Sequence, residues 1–135
     1  MAADVFCTTT DKSIVDFIND LARSMTLHNF IIHNEEKMEM VRHFGHQGVA
    51  LAEDFDLHMV QVCSPKKAAR SLSENLERAV LLPQFIVVFT QDQKTQVRML
   101  RHGRELVAEL VDDADFPEQN AVLCDSLISA INEAL

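Results

Sequence analysis

Cys63, Ser64 and His58 are the residues whose types and spacing come nearest to a reactive site. Cys63 closes a β-prone run, Phe55 to Cys63, and stands directly before Ser64-Pro65. That pair opens helices, because a serine oxygen can accept an otherwise orphaned amide hydrogen bond and proline has no amide to orphan. A thiol at such a corner faces amide donors and the positive end of a helix dipole, both of which favour the thiolate. The chemistry would be nucleophilic or redox, with Cys63 the catalytic candidate and Cys63, Ser64 and His58 the candidate ligand contacts. The opposing reading makes Cys63 a small apolar filler of a strand-to-helix corner, as free cysteines often are. His58 and Cys63 are five residues apart, so on a regular strand they point to opposite faces, and direct pairing would need a bulge.

His43 and His46, three apart around Phe44-Gly45, are lesser metal candidates. Two imidazoles fall short of a zinc ligand set, and His33 and His58 lie in other segments. There is no Gly-rich phosphate loop, no Gly-x-Ser-x-Gly elbow and no paired-carboxylate signature, so no cofactor is expected. Cys7 and Cys124 read as core residues.

The scaffold around Cys63 reads as strand, helix, strand. Ala68, Ala69, Leu72, Leu76, Ala79 and Val80 recur at three- and four-residue steps and predict one helix lying across a sheet, stopped by Pro83. Gln84 to Thr90 follows as a strand. Before this unit, Asp4 to Thr9 predicts a strand, and Thr10 or Ser13 caps a helix with Ile14, Phe17, Ile18, Leu21 and Met25 on one face. Phe30 to His33 predicts a short strand, and Asn34 the cap of a helix carrying Met38, Val41 and Phe44, ended by Gly45. After it, Thr95, Val97 and Met99 alternate with polar residues and predict a hairpin strand beyond Gln91-Asp92-Gln93-Lys94. A short helix at Leu106 to Val111 and a last helix opened by Phe116-Pro117, with Ala121, Cys124, Leu127, Ile128, Ile131 and Leu135 on one face, complete the chain. This is an α+β sandwich: a mainly antiparallel sheet of about five strands with helices packed on it, in a single domain over residues 1–135.

The run Val62-Cys63-Ser64-Pro65-Lys66-Lys67-Ala68, then Leu81-Leu82-Pro83 and the strand Ile86-Val87-Val88-Phe89, resembles the domain of unknown function 302 family. Ser64 stands where that family commonly has Asn, which keeps a capping side chain, and Gln84 stands where it commonly has a second Cys, which removes a partner for Cys63. The resemblance implies a compact α+β fold that often dimerises, and no assigned function.

Charge and composition limit the partners. The chain of 135 residues carries net charge −9, which opposes nucleic-acid and anionic-membrane binding. Beyond Arg104 there is no Lys or Arg, so Glu105, Glu109, Asp112, Asp113, Asp115, Glu118, Asp125 and Glu133 make a one-signed segment that reads as a solvated face. Arg98, Arg101 and Arg104 precede it and are expected to pair internally or between subunits. The longest apolar run, Ala79 to Phe89, falls short of the roughly 20 residues of a membrane span, and the N-terminal residues do not read as a secretory signal, so a cytoplasmic setting is expected. The resulting expectation is a non-enzymatic binding or interaction module, homodimeric, with a small-molecule ligand left unidentified. A thiol-dependent or redox protein using Cys63 is the alternative, and a metal-binding module through His43 and His46 the third reading.

Overall fold

The computed structural model describes residues 2–82 and 84–135. Pro83, expected to stop the central helix, lies outside the described residues. Strands β1 (Ala3–Thr10), β2 (Ile31–Ile32), β3 (Leu57–Cys63), β4 (Gln84–Gln91) and β5 (Lys94–His102) form one sheet in the order β1-β5-β4-β3-β2. All four pairings are antiparallel. Helices α1 (Ile14–Leu27) and α5 (Phe116–Ala134) pack against this sheet, giving the α+β sandwich expected. The remaining helices are α2 (Met40–His46), α3 (Pro65–Glu74) and α4 (Arg104–Leu110). No described helix is long and apolar enough to cross a membrane.

The local signals explain the best-read elements. Ser13 Oγ accepts from the Asp16 amide at 3.1 Å and starts α1, whose Ile14, Phe17, Ile18, Leu21 and Met25 all turn inward. The inner sheet face supplies Val60, Val62, Ile86, Val88, Val97 and Met99, and α5 supplies Leu127 and Ile131. Ser24 Oγ donates to the Ala130 carbonyl at 2.6 Å and locks α1 to α5. Between β4 and β5 the connection is two residues, Asp92 and Gln93, both at positive φ, as a tight hairpin turn demands.

Three expectations about helices need correction. Asn34 caps no helix; its Nδ2 donates to the Met59 carbonyl at 2.9 Å and its Oδ1 accepts from the Gln61 amide at 2.8 Å. It thereby stands in for strand backbone where β2 runs out. Gly45 lies inside α2, and the positive φ falls on Gly48 instead. The largest change concerns the helix after Ser64. It breaks at Asn75, continues as a 3-10 turn over Leu76–Leu81, and α3 buries no residue at all. Leu76 and Val80, placed by their spacing on an inner stripe, are 76% and 73% exposed. The helical pattern was real as far as Glu74, but Asn75 competes for its own backbone, taking the Glu77 amide on Oδ1 at 3.0 Å. The sheet face that α3 was expected to cover is already occupied by α1 and α5.

The opposite sheet face stays open. Val5, Ile31, Phe85 and Leu100 are exposed there, and Cys7, expected in the core, is exposed between Val5 and Thr9 on the same face. Arg98 lies over the Phe89 ring at 5.3 Å.

Candidate functional site

Because α3 leaves the end of β3 without reaching the sheet, it runs beside α5, and a groove of about 390 Å³ lies between them. That volume suits a small organic molecule. Phe30, Val62 and Leu127, all buried, give the groove an apolar floor, and Ala68 and Leu123 line its sides. Two amides are set into this apolar surface. Gln84 is buried with its Nε2 4.0 Å from the Cys124 sulfur. Asn120 is 3% exposed, and its Nδ2 has no hydrogen-bond partner among the described residues. A buried donor left unmade costs about 1 to 3 kcal/mol, so Asn120 calls for a further partner, a water or a ligand.

One guanidinium fixes the groove's width. Arg78, in the 3-10 turn and 3% exposed, donates from Nε to Asp113 Oδ2 at 2.6 Å and from Nη2 to Asp113 Oδ1 at 3.0 Å. Its Nη1 reaches Ser71 Oγ and Glu74 Oε2 on α3, both at 3.0 Å, and Gln119 Oε1 on α5 at 3.2 Å. Its plane lies over the Phe116 ring at 5.2 Å. Both walls of the groove therefore hang on the same side chain. Beneath it Leu81, Val107, Val111 and Phe116 form a second small core. Asp113 also accepts from the Asn75 side chain and from the Phe116 and Asp115 amides, so it caps α5 while holding Arg78. The Arg78 hydrogen bonds first, and then that from Asn75, hold the Asp113 carboxyl well below the usual carboxylate range. Asp113 is thus buried in an ion pair rather than part of a solvated acidic face.

The sequence candidates are only partly brought together. Cys63 and Ser64 stand at the β3 end of the groove. Cys63 is half-buried, opposite Ile31 and on the strand face away from Val60 and Val62, and Ser64 is buried without a side-chain capping bond. His58 does not join them. It is buried on the inner face, its Nε2 3.3 Å from Asp56 Oδ1 and its Nδ1 unpartnered among the described residues. His43 and His46 share α2, but His43 Nε2 lies 2.9 Å from the Lys37 carbonyl and is spent on it. Among the described residues no group of three or more His, Cys, Asp or Glu side chains is arranged to hold a metal.

Of the basic cluster, Arg101 and Arg104 pair within the chain, whereas Arg98 forms no ion pair among the described residues and donates to the Thr8 and Val97 carbonyls and to Gln96 Oε1. Arg101 binds Asp4 through two bonds, at 2.9 and 2.7 Å, and Arg104 binds Glu118 at 2.6 and 3.3 Å. Only the second pair involves the acidic C-terminal segment.

The three thiols differ in access. Cys7 is exposed, Cys63 half-buried and Cys124 buried, where desolvation pushes its thiol pKa up. Iodoacetamide under native conditions, read by mass spectrometry of the peptides, should label Cys7 first, Cys63 more slowly and Cys124 last. Cys63 reacting ahead of Cys7 would restore the nucleophile reading, since access alone favours Cys7.

Sequence reasoning missed Asn120, Arg78 and Asp113 as parts of a site, and noted Gln84 only as the residue standing in place of a second Cys. Asn120 did leave a signal, being a polar residue in step with Phe116, Cys124, Leu127 and Ile131 on the buried stripe of α5. Gln84 left a fainter one at the head of an apolar strand. Nothing local marks Arg78 or Asp113 as partners.

No curated protein matches this chain. The crystal structure of an uncharacterized conserved DUF302 protein from Bacillus stearothermophilus has the same fold, with a TM-score of 0.80 and 19% sequence identity over 97% of this chain and 98% of that chain. The resemblance read around Cys63-Ser64-Pro65 extends nearly end to end: residues 6–134 match the family described as Domain of unknown function DUF302, and the chain belongs to that family.

Proposed function

We propose that this protein is a non-enzymatic binding module whose ligand site is the groove between α3 and α5. The observation that carries this reading is the buried Asn120 amide, unpartnered among the described residues and set beside the apolar floor of the cleft. The separation of His58 from Cys63 and Ser64 favours binding over nucleophilic catalysis. A cytoplasmic setting suits its three unpaired thiols. The test uses the neutral fluorophore N-phenyl-1-naphthylamine. The parent protein should enhance its emission, and Ala68→Phe, which fills the groove from the α3 side, should abolish the enhancement without lowering the melting temperature. Equal enhancement by the two proteins would move the site elsewhere and defeat the proposal.

A second reading, of assembly rather than chemistry, is favoured by the open sheet face. Val5, Ile31, Phe85 and Leu100 together make an exposed apolar patch of the kind that marks an interface, and a second copy of the chain would cover it by a two-fold pairing. Light scattering at micromolar concentration should give about twice 15.3 kDa, and Phe85→Asp with Leu100→Asp should return the monomer. A monomeric parent protein would end the homodimer reading.

A further inference from the structure

We infer that the groove is built for an amphipathic organic carboxylate carrying a second acceptor oxygen on its apolar body; this rests on the groove being the ligand site. The charges around the groove decide the sign. Four ionised side chains line it, namely Lys67, Arg70, Glu74 and Glu118. Glu118 is paired with Arg104 at 2.6 Å, and Glu74 shares Arg78, at 3.0 Å, with Asp113, so the two lining cations are opposed by at most one uncompensated carboxylate. Lys67 and Arg70 form no ion pair among the described residues, and both are exposed. The Lys67 ammonium is 5.8 Å from the centre of the Phe30 ring, which places a cation directly over the apolar floor. In a chain of net charge −9, two cations without ion-pair partners converging on one cleft, and a lining that stays net positive, run against the overall field. They call for an anion whose remainder is apolar.

A second contact to the ligand is offered by Asn120, which also lines the groove. Its Nδ2 can only donate, so the body of the ligand needs an oxygen acceptor, a hydroxyl or carbonyl, within its reach. A plain hydrocarbon tail would leave this donor unmet. An amine would be repelled by Lys67 and Arg70.

Four probes of matched length separate these terms by isothermal titration near neutral pH: octanoate, octylamine, 1-octanol and 3-hydroxyoctanoate. Octanoate should bind at least about tenfold tighter than octylamine, with octanol between them, and 3-hydroxyoctanoate should bind several-fold tighter again. Lys67→Glu combined with Arg70→Glu should invert the order of octanoate and octylamine. Asn120→Leu should erase the gain from the hydroxyl while keeping octanoate binding. Because that change deletes an unpartnered buried donor, its melting temperature should be unchanged or higher, which certifies the fold. Octylamine binding as well as octanoate, or a hydroxyl preference that survives Asn120→Leu, overturns the inference. If N-phenyl-1-naphthylamine enters the groove while octanoate holds no advantage, the carboxylate assignment alone fails. If no probe binds, the groove reading fails with it.

Discussion

Arg78→Met should lower the unfolding free energy by about 3 to 5 kcal/mol, the range for removing one partner of a buried ion pair. The change deletes every bond that ties α3 to α5 through this guanidinium and leaves Asp113, 7% exposed, with only Asn75 and two backbone amides. Urea melts of the parent and variant read the difference directly. The double variant Arg78→Met/Asp113→Asn should recover part of the loss, since it removes the stranded charge. A loss under about 1 kcal/mol would put the cluster among surface pairs of little worth. The same pair sets an acid response. Asp113 has its folded pKa depressed, so its stabilisation is fully present above the unfolded value of about 3.9 and fades as pH falls below that value toward the lower folded one. Asp113→Asn should flatten that acid limb and leave the neutral plateau lower but level.

Phe17→Ala is the second large effect, at about 3 to 5 kcal/mol. The ring is fully buried in the core shared by α1, α5 and the inner sheet face, so truncation loses its transfer free energy and leaves a cavity. Val15, two residues earlier on the same helix, is 63% exposed, and Val15→Ala should stay within about 0.5 kcal/mol. Since a domain of this size holds only about 5 to 15 kcal/mol in total, Phe17→Ala should shift the urea midpoint far below that of Val15→Ala. Overlapping melts would mean that α1 is rotated from the orientation described.

The elements legible in the sequence were those whose cause is local. Ser13 with the Ile14 to Met25 stripe encodes α1 within fifteen residues, and strict alternation through Thr95, Val97 and Met99 encodes a half-buried strand. The groove was not legible for two physical reasons. Periodicity in α3 shows that one face is apolar, but whether anything covers that face depends on α5, which arrives from the far end of the chain. The Arg78–Asp113 pair spans thirty-five residues, and neither partner sits in a pattern that distinguishes it from a surface charge. Cys63 drew attention because its corner is chemically suggestive; Asn120, an unremarkable residue type, carries the stronger observation because burial made its unmet donor costly.

A helix with no fully buried residue, only Ala68, Ser71 and Leu72 being half-buried, has little to hold it closed. Between its covalent links at Ser64 and Asn75, α3 is held through Ser71 and Glu74 on Arg78 and through Lys67 over Phe30, so we expect it to open as a unit while the sheet, α1 and α5 remain intact. Amide hydrogens along Ala68 to Ser71 would then exchange through this sub-global opening and those of α1 only through complete unfolding. On the proposed reading, a ligand in the groove works against the same equilibrium, because one wall of its site exists only while α3 is docked. The observed affinity is the intrinsic affinity multiplied by the docked fraction, and a bound molecule raises that fraction in return. On the proposed reading, ligand recognition and the closing of α3 are one thermodynamic event, and α3 is the element most responsive to the occupant.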